Sequence, residues 1–271
     1  MNKIVPKGIL VFSSAVFLAS CANTASLTKS SSHTAQINPT LASPAPVQQG
    51  ATIQASNIQT PIITVDWQKI EATADQLYED EPLTTDIFFL LSESESTAGS
   101  AADFYAKEFN VSIEEAQRRL ILQGISAPLI EAVARELGEA IAGIYYDNNN
   151  PNEYSVNFIT LKTVQAEPLK YVYQFKHKDY QYYSFPIYIK PSSNATQPQI
   201  LALQEKASPE IFRRYPDTQL IGYSPASNTI NVSIYTKTPD EAERKRIEAE
   251  LTELVGHPVK VEFMSGRITT M

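Results

Sequence analysis

The chain has one cysteine, Cys21, among 271 residues. A single thiol excludes an internal disulfide and a thiolate metal cluster. Histidine is nearly as scarce. His33, His177 and His257 stand far apart, and none has a neighbour at metal-ligand spacing. No Lys/Arg run longer than Arg244-Lys245-Arg246 occurs and the net charge is −8, so the clustered cations that nucleic-acid phosphates require are missing. There is no Gly-x-Ser-x-Gly elbow and no glycine-rich phosphate loop. Asp147, Glu153, Asp179 and Asp217 could supply a carboxylate pair for glycoside hydrolysis, but acidic residues in turns are usually just solvated. The expectation is a non-enzyme with no cofactor, no metal and no nucleic-acid partner.

What is present begins at the N-terminus. Lys3 and Lys7 precede an apolar stretch, residues 9–19, that is too short to span a bilayer. Leu18-Ala19-Ser20-Cys21 follows and resembles the lipobox of bacterial lipoproteins. The resemblance implies that residues 1–20 are a signal peptide and that Cys21 is the lipidation site and first mature residue. Cleavage there would remove both lysines and take the charge from −8 to about −10. Acyl chains at about 0.8 kcal/mol per buried methylene would hold the protein in the membrane. Ala22, where inner-membrane lipoproteins carry Asp, implies outer-membrane sorting facing the periplasm if the host is Gram-negative. Residues 21–60 are rich in Ser, Thr, Gln, Ala and Pro without hydrophobic period, and read as a disordered tether. It would reach on the order of 30–35 Å from the lipid.

The rest predicts an α+β fold of two similar small units, with mainly antiparallel sheets and helices on one face, preceded by a helical segment. Boundaries are 61–100 for the helix and linking segment, 101–190 for the first unit and 191–271 for the second. Trp67, Ile70, Ala74 and Leu77 recur at helical steps behind a capping Asp66. Residues 84–91 hold a short apolar run that fits a strand or a helix turn, and 92–100 an acidic, serine-rich loop. Ser112 and Glu115 form a capping-box pattern, with Gly124 as the stop. Residues 140–160 read as a hairpin: two apolar runs around the loop 147–153, whose Asn and Pro residues favour turns. Residues 220–236 are a fainter copy, with Gly143 and Gly222 in equivalent places. A second, aromatic hairpin spans 169–189, turning near Lys178-Asp179 with Pro186 near an edge. Residues 198–215 read as a helix interrupted at Ser208-Pro209. Thr238-Pro239-Asp240-Glu241 opens a helix capped by Thr238, whose Glu243, Arg244, Lys245 and Glu248 form a solvated face. Val259, Val261 and Phe263 alternate as a last strand.

Tyr105-Ala106, the run Val111 to Leu120 with its Glu-Ala-x-x-Arg-Leu core, Ile141-Ala-Gly-Ile-Tyr-Tyr146 and Tyr154-Ser-Val-Asn-Phe158 resemble the propeptide region of secreted bacterial serine peptidases of the streptogrisin and α-lytic type. The strand–helix–strand pattern of 224–263 is similar to a later part of it. Such propeptides assist the folding of, and inhibit, the attached enzyme. No His, Asp and Ser set occurs here to supply a peptidase, so the resemblance implies either that role in trans or its loss, with the scaffold serving something else. It also implies that a C-terminal tail lies extended in the partner's cleft, with Arg267, Thr269 and Met271 pointing one way. Extended segments bind by pairing main-chain amides with an edge strand. The other candidate contact set is Tyr171, Tyr173, Tyr180 and Tyr182, an aromatic platform for a peptide or glycan, against cross-strand packing as the simpler account. The functional expectation is a membrane-tethered envelope lipoprotein that binds a protein, a secreted peptidase being one candidate. The alternative is a structural lipoprotein contacting peptidoglycan or another glycan.

Overall fold

A computed structural model describes residues 62–80, 100–176 and 182–268. The lipobox with Cys21, the tether, residues 84–91 and nearly all of 92–100, His33, His177, Asp179, Tyr180, Thr269 and Met271 lie outside the described residues. The described residues belong to one compact unit, Asn57–Met271, with an α+β fold.

Helix α1 (Trp67–Asp80) starts where the Asp66 carboxylate accepts the amides of Gln68 and Lys69 at 3.0 and 3.1 Å. Its Trp67, Ile70 and Ala74 are buried in the same core as Val156, Phe158 and Phe185, so this helix is part of the first core and not a preceding segment. Next come α2 (Ala101–Phe109), α3 (Ile113–Ile125) and α4 (Ala127–Leu137). Ser112 caps α3 by accepting the Glu115 amide at 3.1 Å. The return arm of the expected box is replaced, because the Glu115 carboxylate turns to Arg118 and Arg119. α3 also runs through Gly124: Leu122 and Ile125 are fully buried, and that burial outweighs the roughly 1 kcal/mol helix penalty of one glycine.

The first sheet has the order β2-β3-β6-β5, built from β2 (Ile141–Tyr146), β3 (Val156–Leu161), β5 (Lys170–Gln174) and β6 (Ser184–Ser193). A short parallel pair, β1 (Ile63–Thr64) with β4 (Val164–Gln165), lies beside it in sequence. Ile144, Tyr146, Val156, Phe158, Phe185 and Ile187 face α1, α3 and α4 across the first core. The second sheet, β7-β8-β9, comprises β7 (Thr218–Ser224), β8 (Thr229–Tyr235) and β9 (Val259–Met264). Helices α5 (Gln197–Arg214) and α6 (Glu241–Val255) supply Ile200, Ile211, Ile247 and Leu251 to its core. Ala142 and Ile159 of the first sheet join that second core, and α5 touches both β2 and β7.

Several expectations need correcting. The sheets are mixed, not mainly antiparallel, because β3–β6 and β8–β9 are parallel pairs. The α6 crossover is long enough to return the chain in the same direction, which a hairpin cannot do. Pro186 lies in β6, an inner strand. Its missing N–H faces β3, whose pairing begins only at Ile187, so no ladder bond is lost. α5 continues through Pro209, held on both sides by buried Ala207 and Ile211. Asp240, not Thr238, caps α6 by accepting the Ala242 amide.

Both sheets share one connectivity: a bulged strand, an antiparallel return, then a strand parallel to the return. The bulges put Gly143 and Leu220 in matching places, so Gly143 and Gly222 are not equivalent. Gly143 sits under the Pro225 ring, where an added Cβ would come within 2.6 Å of Pro225 Cβ, whereas nothing lies within 4 Å of the same position at Gly222.

Candidate functional site

Hydrogen bonds flanking the β5–β6 ladder fix which way β5 presents its backbone. Phe175 N–H donates to Tyr183 O at 3.3 Å and Ile189 N–H to Leu169 O at 2.9 Å. Paired residues bond in alternate pairs in an antiparallel ladder, so Tyr171 and Tyr173 spend their amides and carbonyls on β6. Lys170, Val172 and Gln174 then point theirs away from the sheet. Among the described residues nothing pairs with those outward groups. Val172 is 41% exposed at the centre of this edge.

Edge strands are commonly guarded by an outward lysine. Lys170 is not placed to do this. Its ammonium lies 5.3 Å from the Tyr188 ring centroid and pairs with Glu153, back across the sheet face. Glu153 also accepts the Tyr188 hydroxyl, and these two partners, Lys170 first, hold its carboxyl below the usual carboxylate range. The position of Glu153 depends in turn on the β2–β3 loop. There the fully buried Arg119 donates to Asn148 O at 2.8 Å and to Asn150 O at 2.9 Å, while its Nε holds Glu115 at 2.7 Å. Tyr105 Oη donates to Asn148 Oδ1 at 2.7 Å. A loop that reads as free turn residues is therefore clamped by α2 and α3. Hydrogen bonds from Arg118, and then from Arg119, lower the Glu115 carboxyl to about 2.

The last strand behaves differently. Pro258 and Met264 carbonyls bond β8, so in β9 the odd-numbered residues face outward. Val259 N–H donates to Thr252 Oγ1 and Val261 N–H to Glu248 Oε2, both at 3.0 Å, and Arg244 Nη1 donates to Val261 O at 3.3 Å. Arg244 and Glu248, expected on a solvated face, instead close the edge of β9 at Val261, and Thr252 does so at Val259.

The aromatic platform is not assembled as expected. Tyr173 is 1% exposed and donates to Asp75 Oδ1 at 2.9 Å. Tyr171 stacks on Trp67 with centroids 4.6 Å apart. Both face the core and are not available to a partner as side chains; Tyr182, 88% exposed, stands apart from them. Aromatic residues occur at both parities of this hairpin, so alternation alone could not tell its faces apart. The opposite face of this sheet carries Tyr145 and Tyr188 instead, flanked by Lys190, whose Nζ donates to Tyr145 Oη at 2.9 Å, and Tyr145 packs partly on the second core. Sequence reasoning missed these residues; their one signal was the even-numbered parity shared by Lys170, Tyr188 and Lys190. Arg267 folds back, pairing with Asp217 at 2.6 Å over the Tyr235 ring, and Ile268 N–H donates to Gln219. Of the carboxylates considered for hydrolysis, Glu153 in the β2–β3 loop is thus tied to Lys170, and Asp217, just before β7, to Arg267. Among the described residues no group of three or more His, Cys, Asp or Glu is arranged to hold a metal.

His257 is buried beside Tyr223 and donates Nε2–H to Asn228 O at 3.1 Å. Burial pushes it below its ordinary 6.5. A histidine with a depressed folded pKa contributes stability that is complete above 6.5 and is lost as the pH falls below it. A His257→Gln variant should therefore show a flatter fall in melting temperature between pH 7 and 5 than wild type. Equal slopes would remove His257 from the pH response.

Compared with known proteins, the chain matches no family model and no curated protein.

Proposed function

We propose that this chain is a lipid-anchored, non-enzymatic binding module of the bacterial envelope, and that it holds a protein partner by accepting one of the partner's extended segments along β5. The observation that carries the reading is the contrast between two edges. Lys170, Val172 and Gln174 leave their outward main-chain groups unpaired, whereas side chains of α6 occupy the amides of Val259 and Val261 and the carbonyl of Val261. Main-chain pairing supplies affinity in such binding, and alternate side chains supply selectivity. The propeptide-like motifs make a secreted serine peptidase the first partner to try, with inhibition or folding assistance in trans as the role. The lipobox-like run supports attachment through acylated Cys21, in the outer membrane facing the periplasm for a Gram-negative host. Intact mass of the mature chain, with added lipid on Cys21, checks the anchor.

Val172→Pro tests the binding mode. Val172 N–H makes no bond within the sheet, so proline removes an outward donor without removing a ladder bond. Full-length chain in detergent, immobilised and exposed to envelope extract, should retain a protein in fixed stoichiometry, and Val172→Pro should lose it with little change in melting temperature. Equal retention by the variant, or retention of wall sacculi alone, would overturn the proposal.

A further inference from the structure

The β5 edge has a second property, which rests on reading it as a strand-accepting edge. Its outward groups belong to three residues, Lys170, Val172 and Gln174, with Val172 in the middle. We infer that a second copy of this chain occupies this edge when no partner strand does, pairing β5 to β5 in antiparallel fashion about a two-fold axis at Val172.

The register follows from the residues. With Val172 opposite the second copy's Val172, Lys170 falls opposite its Gln174, and Gln174 opposite its Lys170. Each of these pairs exchanges two main-chain hydrogen bonds, as bonded pairs in antiparallel ladders do, so every outward group finds a partner. A slip by two residues one way sets Gln174 opposite the second copy's Pro168, which has no N–H and whose carbonyl already accepts Trp67 Nε1 at 3.2 Å. A slip by two the other way sets Lys170 opposite the second copy's Lys176, a like-charge pair. The register centred on Val172 is therefore the one that pairs all three residues without either cost.

The side chains agree with it. No like charges come face to face, a juxtaposition that destabilises cross-strand pairs. Lys170 meets an uncharged glutamine, and its ammonium is already drawn back to Glu153. Val172, 41% exposed in the single chain, packs on its own symmetry mate. A self-complementary patch of this kind is what a two-fold interface requires. The two four-stranded sheets become one continuous sheet, and the edge proposed for the partner is covered. Dimerisation then competes with partner binding, and a tether that confines copies to one membrane favours the dimer when partner is scarce.

Cysteine scarcity makes the test clean. In full-length chain carrying Cys21→Ser, Val172→Cys supplies the only thiol. Cα atoms of a hydrogen-bonded antiparallel pair lie about 5.5 Å apart, within disulfide range. Mild oxidation should give a covalent dimer with Val172→Cys. Gln174→Cys alone should not, because its copies would lie roughly 13 Å apart along the strands. A mixture of Lys170→Cys and Gln174→Cys chains should again cross-link. Absence of dimer at Val172→Cys, or equal rates at Val172→Cys and Gln174→Cys, would overturn the pairing. The outcome is separable from the binding proposal. Partner loss by Val172→Pro without cross-linking at Val172→Cys sinks the dimer alone, whereas partner retention by Val172→Pro sinks the use of β5 as a binding edge.

Discussion

Replacing Arg119 with alanine is expected to cost about 3–5 kcal/mol, the range for breaking a buried charged network by removing one partner. Arg119 is completely buried. It holds Glu115 and two loop carbonyls, and its guanidinium lies 5.4 Å from the Tyr154 ring centroid. Alanine leaves Asn148 O and Asn150 O without their donors and a cavity beside a buried tyrosine. Thermal unfolding should shift down by about 10 °C, taking roughly 2–4 °C per kcal/mol for a unit of this size. Arg119→Lys should recover only part of the loss, because an ammonium lacks the planar fork that reaches three acceptors at once. A shift of a degree or two in the alanine variant would mean that the clamp is not structural. The loss should also be felt at β5, since Glu153 leaves the same loop to hold Lys170 and Tyr188.

Gly143→Val should be the next most damaging change. Alanine already brings Cβ within 2.6 Å of Pro225 Cβ and 3.3 Å of Pro225 Cα, and valine adds two methyl groups to the same space. Overpacking of this kind costs on the order of 1–3 kcal/mol. The clash is between β2 and the β7–β8 turn, so it loosens the junction of the two sheets. Two controls make the cause identifiable. Gly222→Ala should change stability by less than about 0.5 kcal/mol, because nothing lies within 4 Å of the added carbon. Pro225→Gly combined with Gly143→Ala should cost less than the sum of the two single changes, the signature of residues in contact. Additive costs would place the Gly143 effect elsewhere.

Local physics was the legible part of the sequence. Asp66 and Ser112 cap where short polar side chains precede apolar periodicity, Gly256 ends α6 at φ 74, and Val259, Val261 and Phe263 form a strand because they alternate. Features that failed to show depend on contacts distant in sequence. Whether β9 runs parallel to β8 is decided by the α6 crossover and not by the residues of β9. Gly124 and Pro209 look like helix breakers until the burial of Ile125 and Ile211 is known. Arg119 sits in a sequence of ordinary helix surface residues, and only the fold brings the carbonyls of Asn148 and Asn150 onto it. The candidate site was hidden for a related reason. An edge is defined by a missing neighbour, and a strand's own residues do not encode which neighbour is missing.

The edges of β5 and β9 differ in whether their outward amides are paired, and residue-resolved amide hydrogen exchange reads that difference directly. In dilute protein, the amides of Lys170, Val172 and Gln174 should exchange much faster than those of Tyr171 and Tyr173, while Val259 and Val261 are slow. Adding partner, or raising the protein concentration, should slow Lys170, Val172 and Gln174 and leave Val259 and Val261 unchanged. Protection of Val172 that is already high at dilution and does not respond to either, or new protection appearing along β9 instead, would contradict the account.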